Sequence, residues 1–129
     1  MVARLHRWAT RHANLAIPTG VGRLLALVDE AGPSRIGDLA RADHCSQPTM
    51  TTQVQRCEEL GLAARTTDPL DGRAVLIALT PAGRDRLREL RTARAAAVAP
   101  LVDALESADR DVLHAAVAVL SRILDERTE

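Results

Sequence analysis

Between Leu62 and Leu79 the spacing of apolar residues switches from helical to alternating, and this single change limits the fold more than any other feature of the chain. LAARTT reads as a strand, DPLDG as a loop of turn-forming residues, and RAVLIAL as a second strand whose Val75, Ile77 and Leu79 share one face. The pair forms a hairpin. Thr80 followed by Pro81 reads as an N-cap with proline at the first helical position, so a long helix starts there and runs past Pro100, with a kink, to about Leu105. Ser107 reads as the cap of a last helix, with Asp109 and Asp111 at the positive end of its dipole.

Everything before the hairpin is helical in spacing. Val2, Leu5, Trp8 and Ala9 mark an apolar face on a first helix over Arg4 to Ala13. Pro18 opens a second helix that runs to about Glu30 and ends at AlaGlyPro, residues 31–33. Ser34 is placed to cap a short helix from Arg35 to Arg41. After the turn ADHCS, Ser46 caps another, with Pro48 in its first turn, that continues to about Leu60. Gly61 supplies a left-handed stop, and Leu62 folds back on the last turn. Two short helices joined by a tight turn make a helix-turn-helix unit.

The 129 residues suffice for one domain with a real core. The longest apolar run is far short of a membrane span and MVARLHRWATRHAN is too polar for a signal peptide, which places the chain in the cytoplasm with no membrane partner. Two cysteines, Cys45 and Cys57, do not make a secreted disulfide scaffold or a closely paired zinc site. Cys57 shares a helical stripe with Met50 and Val54 and reads as a small buried hydrophobe. His6, His12, His44 and His114 are scattered over separate elements. No nucleophile elbow or phosphate loop occurs, so no catalytic set, metal site or cofactor is expected.

All 17 basic side chains are arginine, and the formal net charge is zero. The charge is uneven along the chain. Residues 1–94 hold 14 arginines against 10 acids, a surplus of +4, and the remainder hold 3 against 7, a deficit of −4. A basic front with an acidic tail is compatible with a polyanion-facing part joined to an assembly part.

The stretch from Ser34 to Arg84, through IGDLARADHCSQPTMTTQVQRCEELGLAAR and DPLDGRAVLIALTPAGR, resembles the MarR family of bacterial transcription regulators. The resemblance implies a mainly α fold with a small β-hairpin wing: a winged helix-turn-helix lobe over residues 18–83, with dimerisation helices over 1–17 and 84–129, all in one domain. It implies that Asp-Pro-x-Asp-x-Arg is the wing, that Leu-Thr-x-x-Gly starts a long fifth helix, and that positions 48, 49 and 52 touch DNA. Relatives often carry arginine at position 52, where this chain has Thr52.

The helix wheel supports the same positions. Met50, Val54 and Cys57 face inward, leaving Pro48, Thr52, Gln55, Arg56 and Glu59 outward and Thr49 at the margin. A helix enters the major groove by its N-terminal part, so Gln47, Thr49 and Thr52 are the candidates for base and backbone contacts. Pro48 is placed to pack on a thymine methyl and Arg56 to meet phosphate. In the wing, Asp71 is expected to accept a hydrogen bond from the Arg73 guanidinium and to hold that fork for a narrow, negative minor groove.

Apolar positions on the outer helices, among them Val112, Leu113, Val117, Leu120, Ile123 and Leu124, form a stripe wider than one neighbour would bury, which points to a homodimer. Its recognition helices would stand about 34 to 36 Å apart on a near-palindromic operator. MarR-like dimers often respond to small ligands in a crevice, here formed by Trp8, Arg11 and His12, which would make the chain a ligand-released repressor. The alternatives are a winged helix used only for protein contacts, or a thiol- or metal-responsive repressor built on Cys45, His44 and Cys57.

Overall fold

Helix one occupies Val2–His12 (α1), slightly earlier than its apolar spacing suggests. It belongs to the first of two compact units into which the chain divides. The first unit joins residues 1–12 to the chain from Arg94 onward, and the second is residues 13–93. The computed structural model describes residues 1–125.

In the second unit, local chemistry sets most of the helix ends. Pro18 lacks an amide hydrogen, so it stands just ahead of α2 (Thr19–Ala31) while its carbonyl accepts from Val21 and Gly22. Gly32, at φ +73°, ends that helix. α3 (Ile36–Ala42) follows, then a turn through His44 at φ +52°, then α4 (Gln47–Glu59). Ser46 caps α4 as expected, its Oγ accepting the Thr49 amide at 3.2 Å. At the other end, Leu62 donates to the Cys57 carbonyl and Gly61 to that of Glu58, with Gly61 at φ +69°. That is the paired closure a left-handed glycine permits.

Ser34 does not cap α3. Its Oγ donates to the Gly32 carbonyl, and its backbone exchanges two hydrogen bonds with Ile77, at 3.1 and 2.8 Å. The residue is held as a one-residue third strand on the hairpin, and Arg35, extended at φ −70° and ψ 149°, takes the capping position without a side-chain bond. A pair of ladder bonds outcompetes a single cap.

The hairpin is β1 (Ala63–Thr67) against β2 (Val75–Leu79), antiparallel, with Ala63 opposite Leu79 and Thr67 opposite Val75. Of the three β2 residues expected to share one face, only Ile77 is fully buried. Leu79 is half-buried, and Val75, next to the loop, is exposed. The core gathers Leu24 and Leu25 of α2, Leu39 of α3, Met50, Val54 and Cys57 of α4, and Ile77 of β2.

Thr80 caps α5 (Pro81–Asp103), accepting from the Gly83 amide at 3.0 Å while donating to the Gly61 carbonyl at 2.7 Å. The backbone of α5 comes so near the start of β1 that a Cβ on Gly83 would stand 1.9 Å from the Leu62 carbonyl oxygen. Only glycine fits there. Arg91 pairs with Asp29 and Arg86 donates to the Ala16 carbonyl, fastening the first turns of α5 to the α2 side of this unit.

In the first unit, α6 (Ser107–Asp125) begins at Ser107 itself, so that residue lies inside the first turn and not ahead of it as a cap. The large apolar residues of α6 are all at least partly open, Val112, Val117, Ile123 and Leu124 at half or more of their surface. Among the described residues, no helix is long and apolar enough to cross a membrane.

Candidate nucleic-acid interface

Met50, Val54 and Cys57 anchor α4 from beneath, each with no accessible surface, and this fixes which side faces out. Gln47, Pro48, Thr49, Thr52, Gln55 and Arg56 are all exposed, so the polar, short-chained face predicted from the wheel is the free one. Its hydroxyls are held by the helix. The Thr52 Oγ1 donates to the Pro48 carbonyl at 3.1 Å, and the Thr49 Oγ1 lies 2.7 Å from the Ser46 Oγ. A bonded hydroxyl still has acceptor capacity directed outward. Arg56 lies in an exposed pair with Glu59 at 3.2 Å, an interaction weak enough to exchange for a stronger anion.

The wing departs from expectation in one respect. Asp71 Oδ1 accepts the backbone amide of Arg73 at 3.2 Å, not its guanidinium. At a separation of two residues in a tight loop the main-chain donor is nearer than the side-chain fork. Among the described residues, the Arg73 guanidinium has no ion-pair or hydrogen-bond partner, and the residue is exposed. The cation that the wing carboxylates do bind is Arg35. Its Nη2 lies 3.1 Å from Asp68 Oδ2 and 3.4 Å from Asp71 Oδ2. Asp68 Oδ1 meanwhile accepts the Leu70 amide at 2.9 Å. That amide first and Arg35 second hold the Asp68 carboxyl below its ordinary value, and the bond to Asp68 raises Arg35 in turn. Sequence reading missed Arg35 because its partners lie more than thirty residues downstream. The turn chemistry of Asp68 and Asp71 was the available half of the signal.

Helix and wing meet in one place. Gln47, at the start of α4, and Arg73, in the wing, line a single open groove of about 560 Å³, together with Arg35, Gly37, Arg41 and Asp71. Three arginines and the first residue of α4 therefore line one open groove, mixed polar and apolar through Ile36, Ala74 and Val75, in which Asp38 pairs with Arg41 and Asp71 with Arg35.

The remaining site residues lie elsewhere. Trp8 and His12 stack within α1, ring centroids 4.2 Å apart, with His12 Nδ1 donating to the Trp8 carbonyl at 2.8 Å, and Arg11 is exposed beside them. Burial pushes the Cys57 thiol up to about 11, and desolvation with nearby Asp43 also raises Cys45. Neither has the depressed value of a reactive thiolate. Among the described residues no cluster of three His, Cys, Asp or Glu stands ready for a metal.

A helix-turn-helix followed by a two-stranded wing, the helix presenting hydroxyl and amide groups and the wing an unpaired arginine, defines a winged helix-turn-helix protein. Residues 22–75 match the MarR family model. An uncharacterised HTH-type transcriptional regulator of Mycobacterium bovis is 30% identical over 127 residues, spanning 97% of this chain and 88% of the relative. Among solved structures, RV1404 from Mycobacterium tuberculosis superimposes with a TM-score of 0.81 at 25% identity, over 95% of this chain and 86% of the other. The S. aureus MepR mutant bound to an oligodeoxyribonucleotide has the same fold, with a TM-score of 0.69 at 20% identity over 95% and 91%. The chain belongs to the MarR family of helix-turn-helix transcription regulators.

Proposed function

We propose that the protein binds duplex DNA as a homodimer at a near-palindromic operator and represses transcription from the cytoplasm. α4 would enter the major groove with Gln47, Thr49 and Thr52 at base edges, Pro48 against a thymine methyl and Arg56 at phosphate. The wing would place Arg73 in the adjoining minor groove, in a loop shaped by Asp71. The observation that carries this reading is the shared groove: Gln47 and the unpaired Arg73 line one concavity, so a single duplex can meet both. The deoxyribonucleotide held by S. aureus MepR, a protein of the same fold, supports it. The open apolar face of α6 supports the dimer, since a stripe of that size on one helix marks an association surface. Residues 1–17 and 84–129 would carry that association and residues 18–83 the DNA. Release by a small ligand would work through a crevice containing Trp8, Arg11 and His12.

Selection of bound fragments from a random duplex pool tests the proposal. The recovered sequences should contain two half-sites one helical turn apart, and affinity should fall steeply with added salt. Arg73→Ala should weaken binding to every duplex, while Thr52→Ala should change the preference among duplexes more than the overall strength. Absence of duplex binding even at low salt would leave a protein-contact module as the reading.

A further inference from the structure

Arg73 is the group that the proposed function sends into DNA, yet it emerges from a loop containing two carboxylates, Asp68 and Asp71. A guanidinium so close to two carboxylates is ordinarily neutralised by them, and Arg73 is not. Arg35 takes both. It stands on backbone that the Ser34–Ile77 bonds fix to β2, and its Nη2 reaches Asp68 and Asp71 at 3.1 and 3.4 Å. Each carboxylate divides its oxygens the same way, Oδ1 to a loop amide and Oδ2 to Arg35. Asp68 is nearly closed off, its side chain 13% exposed.

We infer that Arg35 is a positioning residue for DNA binding: by occupying the wing carboxylates from outside the hairpin, it fixes the loop and leaves the Arg73 guanidinium unpaired for the nucleic acid. This rests on the reading of Arg73 given above. Without Arg35, the Oδ2 atoms of Asp68 and Asp71 lose their cation, and Arg73 is the arginine that shares their loop. The wing would then neutralise itself.

The test is a double-variant cycle on the full-length protein, measuring anisotropy of a labelled duplex of about 30 base pairs with a central A-tract at low and moderate salt. Arg35→Gln should weaken binding about tenfold, the same order as Arg73→Ala. Combined with Arg73→Ala, Arg35→Gln should add less than about twofold, because both act through one group. Adding Asp68→Asn and Asp71→Asn to Arg35→Gln should restore most of the loss, since the side-chain amides still accept the Leu70 and Arg73 backbone N–H groups but no longer attract the guanidinium. A merely structural role would show no such rescue. Additive losses in the cycle would make Arg35 an independent phosphate contact and overturn the inference, as would failure of rescue with an unchanged thermal melt. If Arg73→Ala itself left affinity unchanged, the wing reading would fall and the role of Arg35 with it.

Discussion

Gly83 offers the sharpest test of how the hairpin is joined to the long helix. An alanine there places its Cβ 1.9 Å from the Leu62 carbonyl oxygen and 2.9 Å from the carbonyl carbon, both backbone atoms that no side-chain rotation can move away. Relief requires α5 and the start of β1 to separate by about 1.5 Å, enough to bring the Cβ out to an ordinary contact. The Thr80 amide bond to that same carbonyl, now 3.1 Å, would stretch beyond hydrogen-bonding reach. Overpacking of this kind costs about 1–3 kcal/mol and the lost bond about 1 kcal/mol, while the helix propensity of alanine returns about 1 kcal/mol. The net loss is about 1–3 kcal/mol, which for a chain of this length lowers Tm by roughly 5–10 °C. Thermal melts by circular dichroism at one protein concentration would read it, with Gly72→Ala as the control, because a Cβ there meets nothing within 4 Å. Should Gly83→Ala melt within about 2 °C of the parent, the close approach of α5 to β1 would not constrain the fold and the reasoning would fail.

Other outcomes follow from single residues. His44 holds φ +52°, so His44→Val should destabilise by about 1–3 kcal/mol in urea unfolding, whereas His44→Asn should lie within about 0.5 kcal/mol of the parent. Ser46→Ala removes the cap from α4 and should cost about 1 kcal/mol by the same measurement. At neutral pH a thiol reagent such as DTNB should react with half-buried Cys45 and spare Cys57 until denaturant is added, and rapid reaction of both would contradict the burial of α4. The folded state holds the Cys57 thiol at about 11, above its unfolded value, so this residue's contribution to stability is complete below the ordinary thiol pKa and is lost as pH rises toward 11. Asp68 runs the other way: its folded pKa is depressed, so its contribution is present above the ordinary carboxylate pKa and is lost as pH falls through the folded value. Denaturation midpoints across both pH ranges would show these opposite slopes, and Asp68→Asn should flatten the acidic one.

Much of this molecule was legible in the sequence because its helix ends are set locally. Ser46 with Pro48, Thr80 with Pro81, and Gly61 with Leu62 each decide a boundary within four residues, and all three behave as the pattern suggests. The inward stripe of Met50, Val54 and Cys57 was equally readable, and through it the outward face of α4. The failures have two causes. Ser34 looks like a cap until Ile77, far along the chain, offers it two ladder bonds. Arg35 looks like the first residue of a helix until two carboxylates of the wing loop arrive beside it. Asp71 and Arg73 were correctly paired, but through the wrong atom of the arginine. For Ser34 and Arg35 the deciding partner belongs to the assembled lobe and not to the local pattern, while for Asp71 the tight loop itself brings the main-chain donor closer than the guanidinium.

The bonds between Ser34 and Ile77 also limit how the wing can move. They stitch the segment ahead of α3 to the middle of the hairpin, so β1 and β2 cannot swing on their own like an arm on a hinge. A movement of the wing would have to carry this block away whole or be confined to the few residues between Thr67 and Val75. Stiffness at Ser34 thus leaves independent movement to the outermost tip of the wing.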